Sequence, residues 1–290
     1  MLKLFDRSTL IEHCKKVKFI VSDMDGTLLG EDHTVLEANR LAVEQLRKQG
    51  IRFTIATGRV DYMVAEFVRQ LNIDEPVVSC NGAMVRNLNS GLTLASNPID
   101  PNDAREILQY FNALDFDILA YETDRVCHAS NSVRVEFFRH YNELARQGGS
   151  EEIKLVAFDK VSETFYEGQE YLKLFIWQPN QEKLQAAAKH LETRYPNLYF
   201  VQSTGGSLDI TAKGTTKGTA IEALAAYTGY EPHEFAVFGD QNNDVAMFRV
   251  AGVSFAMENA SPLARENADW IAPHHQDNGF AQIISEYFLE

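Results

Sequence analysis

Four short apolar runs in this chain, residues 17–22, 51–56, 77–80 and 235–238, each break off into a polar cluster that contains glycine. Runs of that length, bounded by turn residues, read as fully buried strands. The segments between them read as amphipathic helices. Thr34-Val35-Leu36-Glu37 has the form of a capping box. The helix it opens carries Ala38, Leu41, Ala42 and Leu46 at helical spacing and stops at Gly50. A second helix follows Thr57-Gly58-Arg59, with Met63, Val64, Phe67, Val68 and Leu71 on one face. The rhythm returns near Lys217: a helix with Ile221, Leu224 and Ala225 ends near Gly229, a short helix spans 244–250, a strand spans 252–257, and a helix closes the chain at 279–288. Buried strands alternating with amphipathic helices imply βαβ units and a parallel, Rossmann-like sheet, an α/β fold. In such sheets ligands sit beyond the carboxyl ends of the strands. The polar clusters lie at those ends, so the pattern points to a site before any chemistry is considered.

The middle of the chain has another texture. Short strands are expected at 119–122, 172–177 and 198–202, with a helix at 181–194. This reads as an α+β domain, residues 86–207, inserted into a core formed by 1–85 and 208–290. Tyr121, Phe175 and Trp177 would either line a pocket there or belong to its buried core.

The formal net charge is −14. A surface that negative repels polyanions and argues against nucleic acid or an acidic membrane as a partner. A small anion would need a local pocket built against the general field. Cys14, Cys80 and Cys127 are odd in number and widely spaced, which gives neither a disulfide framework nor a CxxC metal site. Residues 1–18 mix charged with apolar side chains, without the apolar stretch of a signal peptide. No run of about eighteen apolar residues offers a membrane span. The expected location is the cytoplasm, and the expected state a monomer or small homo-oligomer.

Asp23-Met24-Asp25-Gly26-Thr27, at the end of the first strand, is the strongest local signal. Two carboxylates two residues apart can reach one site as the strand unwinds, one as nucleophile, the other as proton donor and acceptor. Both would repel a phosphate unless a cation intervened, and Mg²⁺ suits oxygen-rich ligands and bridges them to phosphate. The alternative is an Asp-Gly turn with solvated acids. At Thr57-Gly58-Arg59 a hydroxyl and backbone N–H groups at a helix start would hold phosphate oxygens, or simply cap the helix. Gly239-Asp240-Gln241-Asn242-Asn243-Asp244 is a second acidic cluster. There Asp240 would complete a metal site with Asp23, Asn243 would donate to phosphate, and Asp244 would orient Lys217. The alternative is an Asp-rich turn capping the next helix, and Lys217 taken alone is a solvated lysine.

Taken in order, these clusters resemble the haloacid dehalogenase (HAD) superfamily, and within it the Cof-type (subfamily IIB) phosphatases with a large cap. The resemblance spans nearly the whole chain and is carried by residues 19–29, 55–59, Asn81-Gly82-Ala83, 213–218 and 238–244. It implies a HAD core with an inserted C2-type cap, and a Mg²⁺-dependent phosphatase acting on small phosphorylated metabolites such as sugar phosphates. It implies Asp23 as the nucleophile that forms an aspartyl-phosphate and Asp25 as general acid and base. The metal would be held by Asp23, the Asp25 carbonyl and Asp240. Phosphate would be held by the Met24 backbone N–H, Thr57, Gly58, Arg59, Asn81, Lys217 and Asn243, with Asp244 behind Lys217. The resemblance also implies that the cap closes over the site and selects the substrate. One departure is Asp209-Ile210, where many relatives carry Glu-Ile. A phosphomutase or phosphotransferase would share these motifs. A non-catalytic phosphometabolite-binding protein would have no need of Asp25.

Overall fold

A computed structural model describes residues 5–149, 152–158, 170–203 and 206–289. Along the first part of the chain lie α1 (Arg7–Cys14), β1 (Phe19–Ser22), α2 (Glu37–Lys48), β2 (Arg52–Ile55), α3 (Ala65–Gln70), β3 (Val77–Ser79), β4 (Met84–Arg86) and β5 (Thr93–Ser96). Then come α4 (Pro101–Ala113), β6 (Asp117–Glu122), β7 (Arg125–Ala129), α5 (Val135–Gly148), β8 (Lys154–Phe158), β9 (Tyr171–Trp177), α6 (Gln181–Arg194), β10 (Leu198–Ser203) and β11 (Ser207–Ala212). The last part holds α7 (Lys217–Thr228), β12 (Phe235–Gly239), α8 (Val245–Phe248), β13 (Val253–Met257), α9 (Pro262–Asn267), β14 (Trp270–Ala272) and α10 (Gly279–Tyr287). Two compact units result: residues 1–95 with 216–290, and residues 96–215. Among the described residues no helix is long and apolar enough to cross a membrane.

The first unit is built on a parallel sheet of order β14-β13-β12-β1-β2. Its central strands are apolar on both faces because both faces are covered. Phe19, Val21, Phe235 and Val237 pack with Ile221, Leu224, Val245 and Phe248 of α7 and α8. On the other face Phe280 of α10 meets the rings of Phe53 and Phe238 edge-on. The lead-in α1 docks on the same unit: Leu10 and Cys14 are buried, and His13 Nδ1 lies 2.8 Å from the Gly252 carbonyl oxygen. The second unit carries a six-stranded sheet of order β10-β11-β9-β6-β7-β8, antiparallel apart from the β7–β8 pair. Residues of α4 and α6, among them Phe111 and Leu191, bury its Ile118, Leu174, Ile176 and Ile210. On its other face Tyr121 is buried beside Phe138, while Phe175 and Trp177 stay half-buried under the Arg134 guanidinium.

Four local expectations are corrected. Thr34 does not cap α2; Leu36 stands at the N-cap without a side-chain cap bond. Thr34 lies beside the antiparallel bridge Leu29–Val35, its carbonyl accepts from Gly30 N, and its hydroxyl donates to Asp32. In α2, Leu41 is exposed, and Asn39 and Val43 are inside instead. No α-helix begins at Thr57-Gly58-Arg59: after β2 the chain bends, makes a 3-10 turn at Asp61–Met63, and enters α3 only at Ala65. The third apolar run stops at Ser79, because Cys80 and Asn81 take left-handed backbone conformations. Its β3 pairs antiparallel with β4 and meets β2's end through the parallel bridge Ala56–Val78.

Candidate active site

The site gathers at the carboxyl ends of β1, β2 and β12. Asp23 follows the last residue of β1, and its N–H still donates to the Phe238 carbonyl at 2.8 Å, so the nucleophile candidate is fixed by the sheet ladder. Beyond it the chain curls tightly, and the Met24 carbonyl accepts from the N–H groups of Thr27, Leu28 and Leu29. Gly26, at φ +75°, makes that curl possible, since a side chain strongly disfavours this region. The curl gives the two carboxylates different settings. Asp23 is 6% exposed, whereas the Asp25 side chain is 43% exposed.

Lys217, the first residue of α7, is fully buried, which excludes a solvated role. Its Nζ donates to Asp23 Oδ1 and to Asp244 Oδ1, both at 2.6 Å. The other Asp244 oxygen accepts from the N–H groups of Asp240 and Gln241 at 2.9 and 2.8 Å. Asp244 is thereby consumed as a support that aims Lys217 and shapes the acidic loop. Burial lowers the affinity of a lysine for its proton, but Asp23 and Asp244 outweigh it and hold Lys217 charged, above its ordinary value.

Carboxylate oxygens of Asp23, Asp240 and Asp244 lie within 4.8 Å of one another, all buried. Burial pushes the Asp23 carboxyl well up; Lys217 opposes this, while Asp244 and Asp240 add to it. Burial likewise pushes Asp240 up to about 6. Lys217 is the cation between Asp23 and Asp244, while Asp240 faces Asp23 and accepts from the neutral side chains of Gln241 and Thr27. A Cβ added to Gly26 would come within 2.5 Å of Asp240 Oδ2, so the glycine backbone closes directly on this carboxylate. An all-oxygen, cation-deficient pair beside a backbone turn fits a hard divalent ion.

A second wall comes from the loops after β2 and β3. Thr57 N donates to the Val78 carbonyl, Asn81 N to the Thr57 carbonyl, and Cys80 N to the Arg59 carbonyl. Thr57 is buried, and its hydroxyl oxygen accepts from Arg59 N at 3.1 Å. A Cβ at Gly58 would lie 3.2 Å from Asn81 Oδ1, which in turn accepts from Asn243 Nδ2 at 2.9 Å. The structure therefore brings Thr57, Gly58, Asn81 and Asn243 together. The helix start expected to assist anion binding at Thr57 is absent, and backbone N–H groups of bends stand in its place. Arg59 departs from the expected direction. Its Nε and Nη2 grip both oxygens of Asp25 at 2.8 and 2.5 Å, with Phe67 beneath the guanidinium. His33 Nδ1 lies 3.1 Å from Asp25 Oδ1. Burial would raise the Asp25 carboxyl, yet Arg59 and then His33 hold it below its ordinary value. Sequence reasoning did not single out His33, which sits in a polar turn with no distinguishing pattern. It also passed over Asn259, whose side chain donates to the Gly26 carbonyl. Asn259 stands just past the end of β13, so the rule that found the other loops would have found it.

Residues 20–284 match the haloacid dehalogenase-like hydrolase family model. The chain belongs to that family. It is a phosphatase of the family's Cof type, as the HAD motifs implied. Among curated HAD relatives, the 5-amino-6-(5-phospho-D-ribitylamino)uracil phosphatase YwtE of Bacillus subtilis is 26% identical, over 93% of this chain and 98% of its own. The pyridoxal phosphate phosphatase YbhA of Escherichia coli is 24% identical, over 94% and 99%. A haloacid dehalogenase-like hydrolase from Bacteroides thetaiotaomicron superposes with a TM-score of 0.80 at 22% identity, over 94% of this chain and 100% of its own.

Proposed function

We propose that this phosphatase hydrolyses small phosphorylated metabolites, sugar or polyol phosphates among them, through a phosphorylated Asp23, with Mg²⁺ as cofactor. The observation that carries the reading is the buried set Asp23, Lys217, Asp244 and Asp240, in which Lys217 bridges Asp23 and Asp244 while Asp240 accepts from Gln241. Asp23, Asp240 and the Asp25 backbone carbonyl would hold the metal. When bound, the ion offsets charge between these oxygens and the phosphoryl group.

The remaining work falls to the chain itself. Met24 N–H, Thr57, Gly58, Asn81, Asn243 and Lys217 hold the phosphoryl oxygens and place phosphorus in line with Asp23. An Asp23 oxygen attacks phosphorus as the ester P–O bond breaks, and Asp25, which first takes up a proton from solvent against the pull of Arg59, delivers it to the departing oxygen. Asp25, now a carboxylate, takes a proton from water as that water attacks phosphorus. The P–O bond to Asp23 breaks, releasing phosphate and restoring the carboxylate. Arg59 is assigned first to Asp25 and only through it to substrate. Residues 96–215 are proposed as the substrate-selecting unit. The YwtE relative, named for a ribityl phosphate, supports a polyol or sugar phosphate substrate. Cytoplasmic residence is part of the same reading, supported by three buried cysteines that form no disulfide.

The test is phosphate release from p-nitrophenyl phosphate and a panel of sugar and polyol phosphates, with Mg²⁺ and with EDTA. The expected result is activity that needs Mg²⁺, is lost in EDTA, and is abolished in a folded Asp23→Asn variant. Full activity of Asp23→Asn would overturn the covalent route, and full activity in EDTA would overturn the metal.

A further inference from the structure

The acidic loop and the nucleophile loop come from opposite ends of the sequence and share no main-chain hydrogen bond beyond the β1–β12 ladder and its continuation at Asp23, among those described. A third segment, the turn after β13, ties them together. Asn259 Nδ2 donates to the Gly26 carbonyl at 2.8 Å. Asn259 Oδ1 accepts from His275 N at 3.3 Å, and His275 Nδ1 lies 2.8 Å from the Leu29 carbonyl oxygen. Two residues on, Ser261 N donates to the Asp240 carbonyl at 2.8 Å, and Ser261 Oγ donates to Asn242 Oδ1 at 2.7 Å. The turn is itself closed by Ala260 N donating to the Met257 carbonyl, and it is anchored because Ala260 is buried.

We propose that Asn259, with Ser261, is a positioning residue that sets the spacing between the two halves of the cation site. The inference rests on the metal site of the proposed function. Its physical basis lies in Gly26. The Asp25 and Gly26 carbonyls flank the Gly26 Cα, so their relative direction is set by the Gly26 dihedrals. Glycine has little preference of its own, and this one sits at φ +75°. An external donor on the Gly26 oxygen therefore does what the residue cannot: it fixes the peptide that orients the Asp25 carbonyl. From the same turn, Ser261 fixes the backbone of Asp240, whose carboxylate faces Gly26. A small hexacoordinate ion needs near-ideal oxygen positions, so slack between the loops translates into weaker binding.

The test is Mg²⁺ binding to the full-length protein without substrate, by calorimetry, for wild type, Asn259→Ala, Asn259→Asp and Asp240→Asn. Thermal midpoints in EDTA and kcat and KM at saturating Mg²⁺ accompany it. Asn259→Ala is expected to weaken Mg²⁺ binding by about tenfold or more. Its midpoint in EDTA and its KM should stay close to wild type. Should Asn259→Ala fail to fold, Asn259→Asp keeps the oxygen that accepts from His275 N and loses only the donor to Gly26, and it carries the same expectation. Wild-type Mg²⁺ affinity in the folded Asn259 variants would overturn the proposal, as would a loss no larger than the loss of stability explains. If Asp240→Asn binds Mg²⁺ as wild type does, the metal site itself is wrong and the proposal falls with it. If Asp240→Asn loses binding while both Asn259 variants keep it, only the positioning role falls.

Discussion

Replacing Lys217 by Met should cost the first unit roughly 3 kcal/mol of stability, near the low end of what removing one member of a buried charge set costs, about 3–5 kcal/mol. The side chain is fully buried and its Nζ sits 2.6 Å from both Asp23 and Asp244. Methionine keeps most of the stem and removes the cation. Two features place the figure at the low end. Asp244 keeps its two backbone donors, the Asp240 and Gln241 N–H groups. Asp23, already pushed up by burial, can take a proton once Lys217 no longer draws it down. The sign of the pH dependence follows. A carboxyl whose folded-state value lies above its unfolded one, 3.8, contributes stability fully below the unfolded value and loses it as pH rises through the folded one. Without Lys217 that loss begins from a higher folded value and is larger. The gap between variant and wild type should therefore be narrow in acid and wide at neutral and alkaline pH. The chain has two tryptophans, Trp177 in the second unit and Trp270 in β14 of the first. A Trp177→Phe background leaves Trp270 as the only indole, so its fluorescence through a urea titration in EDTA, at about pH 5 and about pH 8, reports the first unit alone. A gap below about 1 kcal/mol at the higher pH, no more than an average substitution, would refute the buried-charge argument. So would a gap of equal size at both pH values.

Arg59→Met should raise the Asp25 carboxyl, because the guanidinium now favours its charged form. On the proposed mechanism Asp25 carries a proton to the leaving group, so the alkaline limb of the kcat/KM profile should move to higher pH, and an unmoved limb would place Arg59 elsewhere in the reaction. Gly26→Ala should strain a φ of +75° by roughly 1–2 kcal/mol and press a methyl group against the Asp240 carboxylate. Calorimetry should then find Mg²⁺ binding lost while the urea midpoint drops only modestly; intact binding would show that Asp240 can move aside freely.

Much of the site was legible because parallel sheets announce their ligand sites. Apolar runs ending in Asp23, Thr57 and Asp240 mark strand ends whatever the rest of the chain does, and their loops must meet where those strands lie side by side. What failed was local. Thr34 matched a capping pattern, but the bridge between Leu29 and Val35 drew it into a turn instead. Leu41 matched a helical stripe, but the face of α2 that meets α10 is set by Val43, Leu46 and Asn39, which donates to the Leu28 carbonyl. A motif lists residues that can act alike in isolation, and neighbouring elements choose among the options.

By itself the sequence determined the class of fold, the order of the polar loops and the residue types that can attack, protonate and neutralise a phosphoryl group. These follow from periodicity and from chemistry that a side chain carries wherever it is placed. Only the tertiary structure decided the partners that no motif named: Arg59 and His33 on Asp25, and Asn259 on Gly26. Those partners lie far apart in the chain or in turns without a pattern, and a hydrogen bond acts over about three ångströms, a distance that only the packed fold can set.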